Sequence, residues 1–286
     1  MAVRRFTEPD EVRRAVRAWQ ADGLSVGFVP TMGALHEGHG SLIRGSVAEC
    51  DRTVVSVYVN PTQFAPTEDL ENYPRSLDCD CELAEAAGAD AVFCPSDRTM
   101  YPEGFATYVV QEGLTEVMEG RSRPTHFRGV LTIVCKLLNL VPADRVYFGQ
   151  KDFQQAVVVR RMVRDLGLPT QVRVMPTVRE PDGLARSSRN VYLNTEERAQ
   201  AVCLVQALRR ARALFQGGET CGDVLRAEMR TVLDDASLAR TDYADLVDPD
   251  TLAPVVTATE RSIAVLAVRV GDTRLIDNMP MVGDVT

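Results

Sequence analysis

As far as about residue 175, short uninterrupted apolar runs alternate with longer stretches whose apolar residues recur three and four positions apart. Uninterrupted runs suit strands buried on both faces, and the three-four spacing suits helices with one apolar side. Strands are therefore expected at Leu24–Val29, Thr53–Val59, Ala91–Phe93, Arg145–Phe148 and Val172–Met175. Helices are expected from a Thr7 cap to about Ala21, from Glu37 to Ala48, over Leu77–Ala87, over Phe127–Leu140, and from Gly149 to Leu166. In Phe127–Leu140 the residues Val130, Ile133, Val134, Leu137 and Leu138 share one side. Strands alternating with helices predict an α/β fold, a parallel sheet with right-handed crossovers.

After Pro181 the pattern changes. Thr195–Phe215 reads as one long amphipathic helix ending at Gly217-Gly218, and Asp223–Asp234 as another. Tyr243–Val247, Ile263–Val270 and Arg274–Ile276 read as strands of a small sheet. The expectation is a parallel-sheet domain over 1–180 and a smaller α+β domain over 181–286, joined at the Pro181-Asp182-Gly183 turn.

Ligands of parallel sheets sit beyond the carboxyl ends of the strands. Polar segments follow Val29, Val59, Phe148 and Met175, all at such ends. The first carries the most information. Pro30-Thr31-Met32-Gly33 leads to His36 and His39 at an expected helix start, and these are two of the three histidines in the chain. Residues three apart share a helix side. A helix start carries unpaired N–H groups and partial positive charge, so it attracts phosphate. Two imidazoles there can donate to phosphate oxygens and stabilise charge that develops in a transition state. The same helix terminus favours neutral rings. Zinc is the weaker reading, because His36-Glu37-Gly38-His39 is one residue short of the H-E-x-x-H spacing and His126 is remote in sequence.

The other clusters extend this reading. Asn60 and Gln63 follow a buried strand, where carboxamides can recognise hydroxyl and carboxylate groups or cap their own loop. Lys151 can neutralise phosphate, and Asp152 can cap a helix or bind ribose hydroxyls. Gln154 and Gln155 face either ligand or solvent. Arg186-Ser187-Ser188-Arg189 offers hydroxyls flanked by guanidiniums, a set that can envelop phosphates, in a loop placed to close. Arg123, in a turn-rich connection, can bind an anionic substrate group or be an ordinary surface arginine.

Composition narrows the classes. The 286 residues are 45% hydrophobic and 25% charged, which suits a globular fold rather than a disordered one. A net charge of −8 argues against duplex nucleic acid as the main partner. Seven cysteines, an odd number without C-x-x-C, fit a reducing cytoplasm better than a disulfide framework. Cys135 reads as core and Cys79-Asp80-Cys81 as helix surface. No signal peptide and no membrane span are expected.

Together the segments PTMGALHEGH, VNPTQF with NYPR, RPTHFRGV, FGQKDFQQ, PTVREPDGLARSSRN and TRLIDN resemble the pantothenate synthetase (pantoate–β-alanine ligase) family, in the family's order. The histidine motif alone marks only the broader nucleotidyltransferase superfamily. The resemblance implies a Rossmann-like sheet with helices on both faces. It implies ATP-dependent ligation of (R)-pantoate and β-alanine through pantoyl adenylate, releasing pyrophosphate and then AMP, with Mg²⁺ on ATP and a homodimeric assembly. A nucleotidyltransferase that keeps its adenylylated product, and a non-catalytic nucleotide-binding regulator, are the competing functions.

The resemblance also implies residue roles. ATP is assigned to Pro30, Thr31, Met32, Gly33, Ala34, Leu35, His36, Glu37, Gly38 and His39, to Gly149, Gln150, Lys151 and Asp152, to Val178 through its backbone, and to Arg186, Ser187, Ser188 and Arg189. His36, His39 and Lys151 are the catalytic set. His39 is the family's proton donor, although its setting reads as phosphate-polarising. Asn60, Gln63 and Gln155 fall on pantoate, with Gln63 also beside β-alanine. No protein ligand for a metal is assigned. Gly40 stands where the family has a larger apolar residue, Gln150 replaces a glutamate, Thr125 a glycine and Arg186 a leucine. Arg186 is expected to add charge beside the phosphates.

Overall fold

The computed structural model describes residues 3–65, 70–71 and 73–283. It divides into two compact units, Met1–Gly149 with Gln154–Met175, and Gln150–Phe153 with Pro176–Thr286. The division falls ahead of the Pro181-Asp182-Gly183 turn and gathers the four residues from Gln150 to Phe153 into the second unit.

In chain order the first unit holds β1 (Arg4–Phe6), α1 (Pro9–Ala21), β2 (Val26–Thr31), α2 (Glu37–Glu49), β3 (Arg52–Val57), α3 (Leu77–Ala86), β4 (Ala91–Phe93), α4 (Asp97–Met100), α5 (Glu119–Ser122), α6 (His126–Leu140), β5 (Arg145–Gly149), most of α7 (Phe153–Asp165) and β6 (Gln171–Met175). The six strands are parallel in the order 1-4-3-2-5-6. Val29, Val55 and Val92 lie in register across β2, β3 and β4 and pack with Leu42, Ile43, Cys81 and Ala84 of α2 and α3. The alternate residues Phe28, Val54 and Ala91 are equally buried and point to the opposite face, where α1 packs against α6. Burial on both faces is why these strands read as unbroken apolar runs. At Gly27 a Cβ would stand 2.0 Å from Ser46 Oγ, so glycine lets α2 lie directly on β2.

Sheet order places the ligand end. The chain leaves β2 toward β3 on one side, while β5 and β6 extend the sheet on the other. Such a reversal marks the ligand crevice of an open parallel sheet. Here β2 pairs with β5 only at Gly27–Arg145 and Phe28–Val146. Beyond that the two strands keep only their outer partners, through Thr31–Val57 and Gly149–Met175. Their carboxyl ends therefore part.

The second unit holds α8 (Thr195–Gln200), α9 (Cys203–Gln216), α10 (Gly222–Asp234) and the antiparallel strands β7 (Ala239–Val247), β8 (Ile263–Val270) and β9 (Thr273–Pro280), with β8 central. Leu204, Leu208, Leu225, Met229 and Leu233 of the helices meet Leu246, Leu266 and Val268 of the sheet.

Several local expectations need correction. Glu8, not Thr7, precedes α1, with no side-chain cap; Pro9 in the first turn and Asp10 and Glu11 mark the start instead. β1 was not expected, since two arginines and one phenylalanine carry no period. The expected helix from Thr195 to Phe215 breaks at Ala201-Val202 with no glycine or proline to signal it. Gly149–Asp152 does not open α7 directly: Gln150–Asp152 forms a 3-10 turn and α7 begins at Phe153. Cys135 is half-buried rather than core. Asp80 and Cys81 are buried rather than surface, and only Cys79 is exposed.

Gly40 lies inside α2 without a positive φ. A Cβ there would meet only Arg44 Nη1 at 3.1 Å and Glu37 Oε2 at 3.4 Å, the ends of a half-exposed ion pair. Gly40→Ala is expected to raise stability by about 0.5–1 kcal/mol through reduced backbone entropy in the unfolded chain. A urea midpoint that falls would contradict this.

Candidate active site

The loop between β2 and α2 is built on two left-handed residues, Gly33 at φ 83° and Ala34 at φ 50°. Glycine adopts this conformation freely and alanine does not, so Ala34 must be held there. Asp80 of α3 holds it. Its Oδ1 accepts from Leu35 N at 2.7 Å and its Oδ2 from Ala34 N at 3.2 Å. Asp80 is only 3% exposed. Burial pushes its carboxyl above the usual carboxylate range, and the bonds from Leu35 and Ala34 pull it only part of the way back.

The clamped loop delivers His36 to the N-cap of α2. His36 Nδ1 accepts from Gly38 N at 3.1 Å. His39 Nδ1 accepts from His36 N at 3.3 Å. The rings lie with centroids 4.2 Å apart. Each of these bonds needs a lone pair on Nδ1, so each ring is neutral with its proton on Nε2. Two Nε2–H donors thus sit side by side at the positive end of a helix. Glu37 occupies the first turn and pairs with Arg44.

Asn60, Gln63, Met32, Arg123 and His126 form a second group in the same unit. Asn60 is 1% exposed. Its Nδ2 donates to Gln63 Oε1 at 3.0 Å and Gly129 O at 3.2 Å, and its Oδ1 accepts from Tyr101 OH at 2.7 Å and Thr62 Oγ1 at 2.9 Å. That saturates the amide, so Asn60 orients its neighbour. Gln63 Nε2 donates to Met32 Sδ at 2.8 Å, a weak acceptor that links this group to the β2 loop. Arg123 donates to Gln63 O at 3.3 Å and lies 3.1 Å from His126 Nε2. A guanidinium only donates, so His126 accepts on Nε2 and offers its Nδ1–H to Gln63 O at 3.0 Å. Its tautomer is the opposite of the other two. Gly129 carries no side chain because a Cβ would come within 2.3 Å of Thr62 O.

The two glutamines of α7 differ. Gln154 is 3% exposed and faces neither ligand nor solvent: it accepts from Glu119 N at 3.0 Å and donates to Leu114 O and Val117 O at 2.9 Å each. Gln155 is half-buried and makes no side-chain hydrogen bond to the described residues. A cavity of about 330 Å³ opens beyond β2, β3 and β4, lined by Met32, Gly33, Tyr58, Asp80, Cys94 and Asp97 among others. Neither histidine of the cap lines it. Burial pushes the Cys94 thiol up to about 12, which leaves it no nucleophile at neutral pH.

Gly149 ends β5 in the first unit, and the second unit carries the expected residues that follow it in 150–152 and 178–189. Lys151 Nζ lies 3.5 Å from Asp152 Oδ1. Val178 O accepts from Arg186 N at 2.9 Å, and an isolated bridge joins Arg179 to Ala185. Ser187 caps a 3-10 turn by accepting from Arg189 N at 3.2 Å, and Ser188 opens that turn. Arg186 does not present a loose charge: its guanidinium grips Glu180 through bonds of 3.1 and 3.2 Å. Arg179 is bound by both oxygens of Asp277, at 2.6 and 3.0 Å.

Sequence reasoning missed Asp80, Tyr101 and the role of His126. Only the resemblance drew attention to Asp277 and Asn278. Asp80→Ala orphans two main-chain donors and is expected to cost about 1–3 kcal/mol for each one left unsatisfied. Faster hydrogen exchange at the Ala34 and Leu35 amides, relative to the amides of α2, checks the mechanism; unchanged exchange there would remove Asp80 as the clamp.

Comparison with known proteins agrees with the fold. The family model described as pantoate-β-alanine ligase matches residues 4–280. A pantothenate synthetase from Roseiflexus sp. (strain RS-1) is 52% identical over 276 residues, covering 96% of this chain and 98% of that protein. The crystal structure of pantothenate synthetase from Thermus thermophilus superposes with a TM-score of 0.93 at 44% identity, covering 98% of this chain and 100% of the other. A pantoate-β-alanine ligase from Francisella tularensis, solved with a β-γ ATP compound and β-alanine, superposes with a TM-score of 0.80 at 31% identity, covering 99% of each chain. With a neutral donor pair heading α2, a parted sheet behind it and a match along nearly its whole length, the chain belongs to the pantoate-β-alanine ligase family.

Proposed function

We propose that residues 30–35, the end of β2 and the loop after it, and the head of α2 bind the phosphates of ATP in the family's reaction. A pantoate carboxylate oxygen attacks the α-phosphorus and pyrophosphate leaves. The β-alanine nitrogen then attacks the acyl carbon, AMP leaves, and the nitrogen loses a proton. Adenylation is needed because a carboxylate is a poor acyl donor.

The observation that carries this reading is the pair of occupied Nδ1 atoms. It leaves His36 and His39 a single kind of chemistry, donation from Nε2–H to oxygens that gain charge as pyrophosphate departs. His39 polarises phosphate in this reading and does not have to surrender its proton. Lys151 adds a full positive charge on the phosphates, Gly149 and Gln150 frame that segment, and Asp152 takes the ribose hydroxyls. Val178 meets adenine through its backbone, and Ser187, Ser188 and Arg189 cover the phosphates, with Arg186 bracing them through Glu180. Gln155 and the Gln63 amide take pantoate, with Asn60 acting through Gln63. Arg123 attracts a substrate carboxylate.

Among the described residues no group of three or more His, Cys, Asp or Glu is placed to hold a metal ion. Mg²⁺ is accordingly assigned to the oxygens of the nucleotide phosphates, where it would neutralise charge. We place the enzyme in a reducing cytoplasm on its seven free thiols. The homodimer rests on the family alone. No helix among the described residues is long and apolar enough to cross a membrane.

Pantoate alone should drive exchange of pyrophosphate into ATP, and AMP should appear only when β-alanine is added. AMP formation that ignores β-alanine would favour a simple nucleotidyltransferase. His39→Ala should slow exchange by about 10²–10³-fold, the effect of losing one donor to a developing charge. Lys151→Ala should also slow it strongly at a modest stability cost, read by thermal unfolding. A folded variant of either kind with wild-type exchange would remove that residue from the reaction.

A further inference from the structure

We infer that Asn278, on β9, is the positioning residue that fixes the Lys151 segment for its work on ATP; this rests on the reading of Lys151 given above. Asn278 is 3% exposed and lies 127 positions from Lys151 in sequence. Its Nδ2 donates to Gln150 O at 2.8 Å and to Lys151 O at 3.0 Å. Its Oδ1 accepts from Gln150 Nε2 at 3.2 Å. One carboxamide therefore ties down two successive carbonyls and the side chain of the first.

The anchor is itself held. Asn278 N donates to Asp277 Oδ1 at 2.8 Å, and Asn278 O accepts from Arg179 at 3.3 Å. Asp277 is 2% exposed and takes Arg179 on both oxygens. Arg179 in turn donates to Gly183 O at 3.1 Å. The dipeptide Asp277-Asn278 thus fastens both the 150–152 turn and the base of the 179–189 loop to β9, which pairs with the central strand β8. Gln150 suits this site because its amide supplies the donor that Oδ1 receives; a glutamate would bring a carboxylate there. Lys151 has a long flexible stem, and fixing its backbone removes freedom that would otherwise be lost on binding phosphate.

The test is a double-mutant cycle in the full-length enzyme, reading kcat and KM for ATP separately in pantoate-dependent pyrophosphate exchange. Asn278→Ala should lower kcat/KM for ATP by about tenfold to a hundredfold when Lys151 is present, the scale of a small misplacement. In the Lys151→Ala background the same change should have little further effect, since residues that act as a unit are not additive. Asn278→Ser, which keeps one donor, should fall between wild type and Asn278→Ala, and it replaces the alanine variant in the cycle if that one does not fold. Equal losses in both backgrounds would show a merely structural role and overturn the inference. A wild-type rate for Lys151→Ala would overturn the reading of Lys151 and the inference with it.

Discussion

Everything at the head of α2 depends on where two imidazole protons reside. The reciprocal cap uses Nδ1 of His36 for Gly38 and Nδ1 of His39 for His36. An ordinary serine or aspartate cap satisfies the helix and ends there. A histidine cap satisfies the helix with one nitrogen and leaves the other defined as a donor. In the proposed phosphate role of these rings, capping and recognition are one act. The rings need no reorientation when substrate charge develops, which is the condition under which such donors stabilise a transition state most.

The cap is only as well placed as the loop before it. Ala34 sits in a left-handed conformation, and the Asp80 carboxylate supplies the bonds that keep it there. Isolated buried carboxylates are unfavourable, and the upward shift of Asp80 reflects that cost. The structure retains one because a carboxylate alone among small side chains accepts two main-chain donors with no competing donor of its own. An amide at this position would turn an N–H toward one of them. A similar logic applies in the second unit, where a carboxamide is correct at position 278 because carbonyls and a side-chain donor must be met together.

Much of the fold was legible because parallel strands buried on both faces are rich in apolar, β-branched residues, as with β3, and the central strand β8 of the small sheet reads the same way. β1 was not, since an edge strand of three residues with two exposed arginines carries neither alternation nor an apolar run. The break at Ala201-Val202 keeps the helical period on both sides and so leaves no trace in the pattern. The histidine pair at the start of α2 was legible because both residues lie in one short glycine-rich segment, though their reciprocal capping was not. Asp80 was not, since its partners are more than forty positions away and its neighbours are polar or cysteine. For Asn60 and Gln63 sequence leaves ligand recognition and loop capping open, and does not say which amide is consumed internally. That depends on Tyr101 and Gly129, brought in by other elements.

The most direct test is nitrogen-15 NMR of the three imidazoles at neutral pH, before and after adding a non-hydrolysable ATP analogue. His36 and His39 should carry the proton on Nε2 with Nδ1 bare, and His126 should show the reverse. The analogue should move the Nε2 signals of His36 and His39 while their Nδ1 signals stay put. A proton on Nδ1 of either cap histidine, or Nε2 signals unmoved by the analogue, would contradict the phosphate-donor role of the pair.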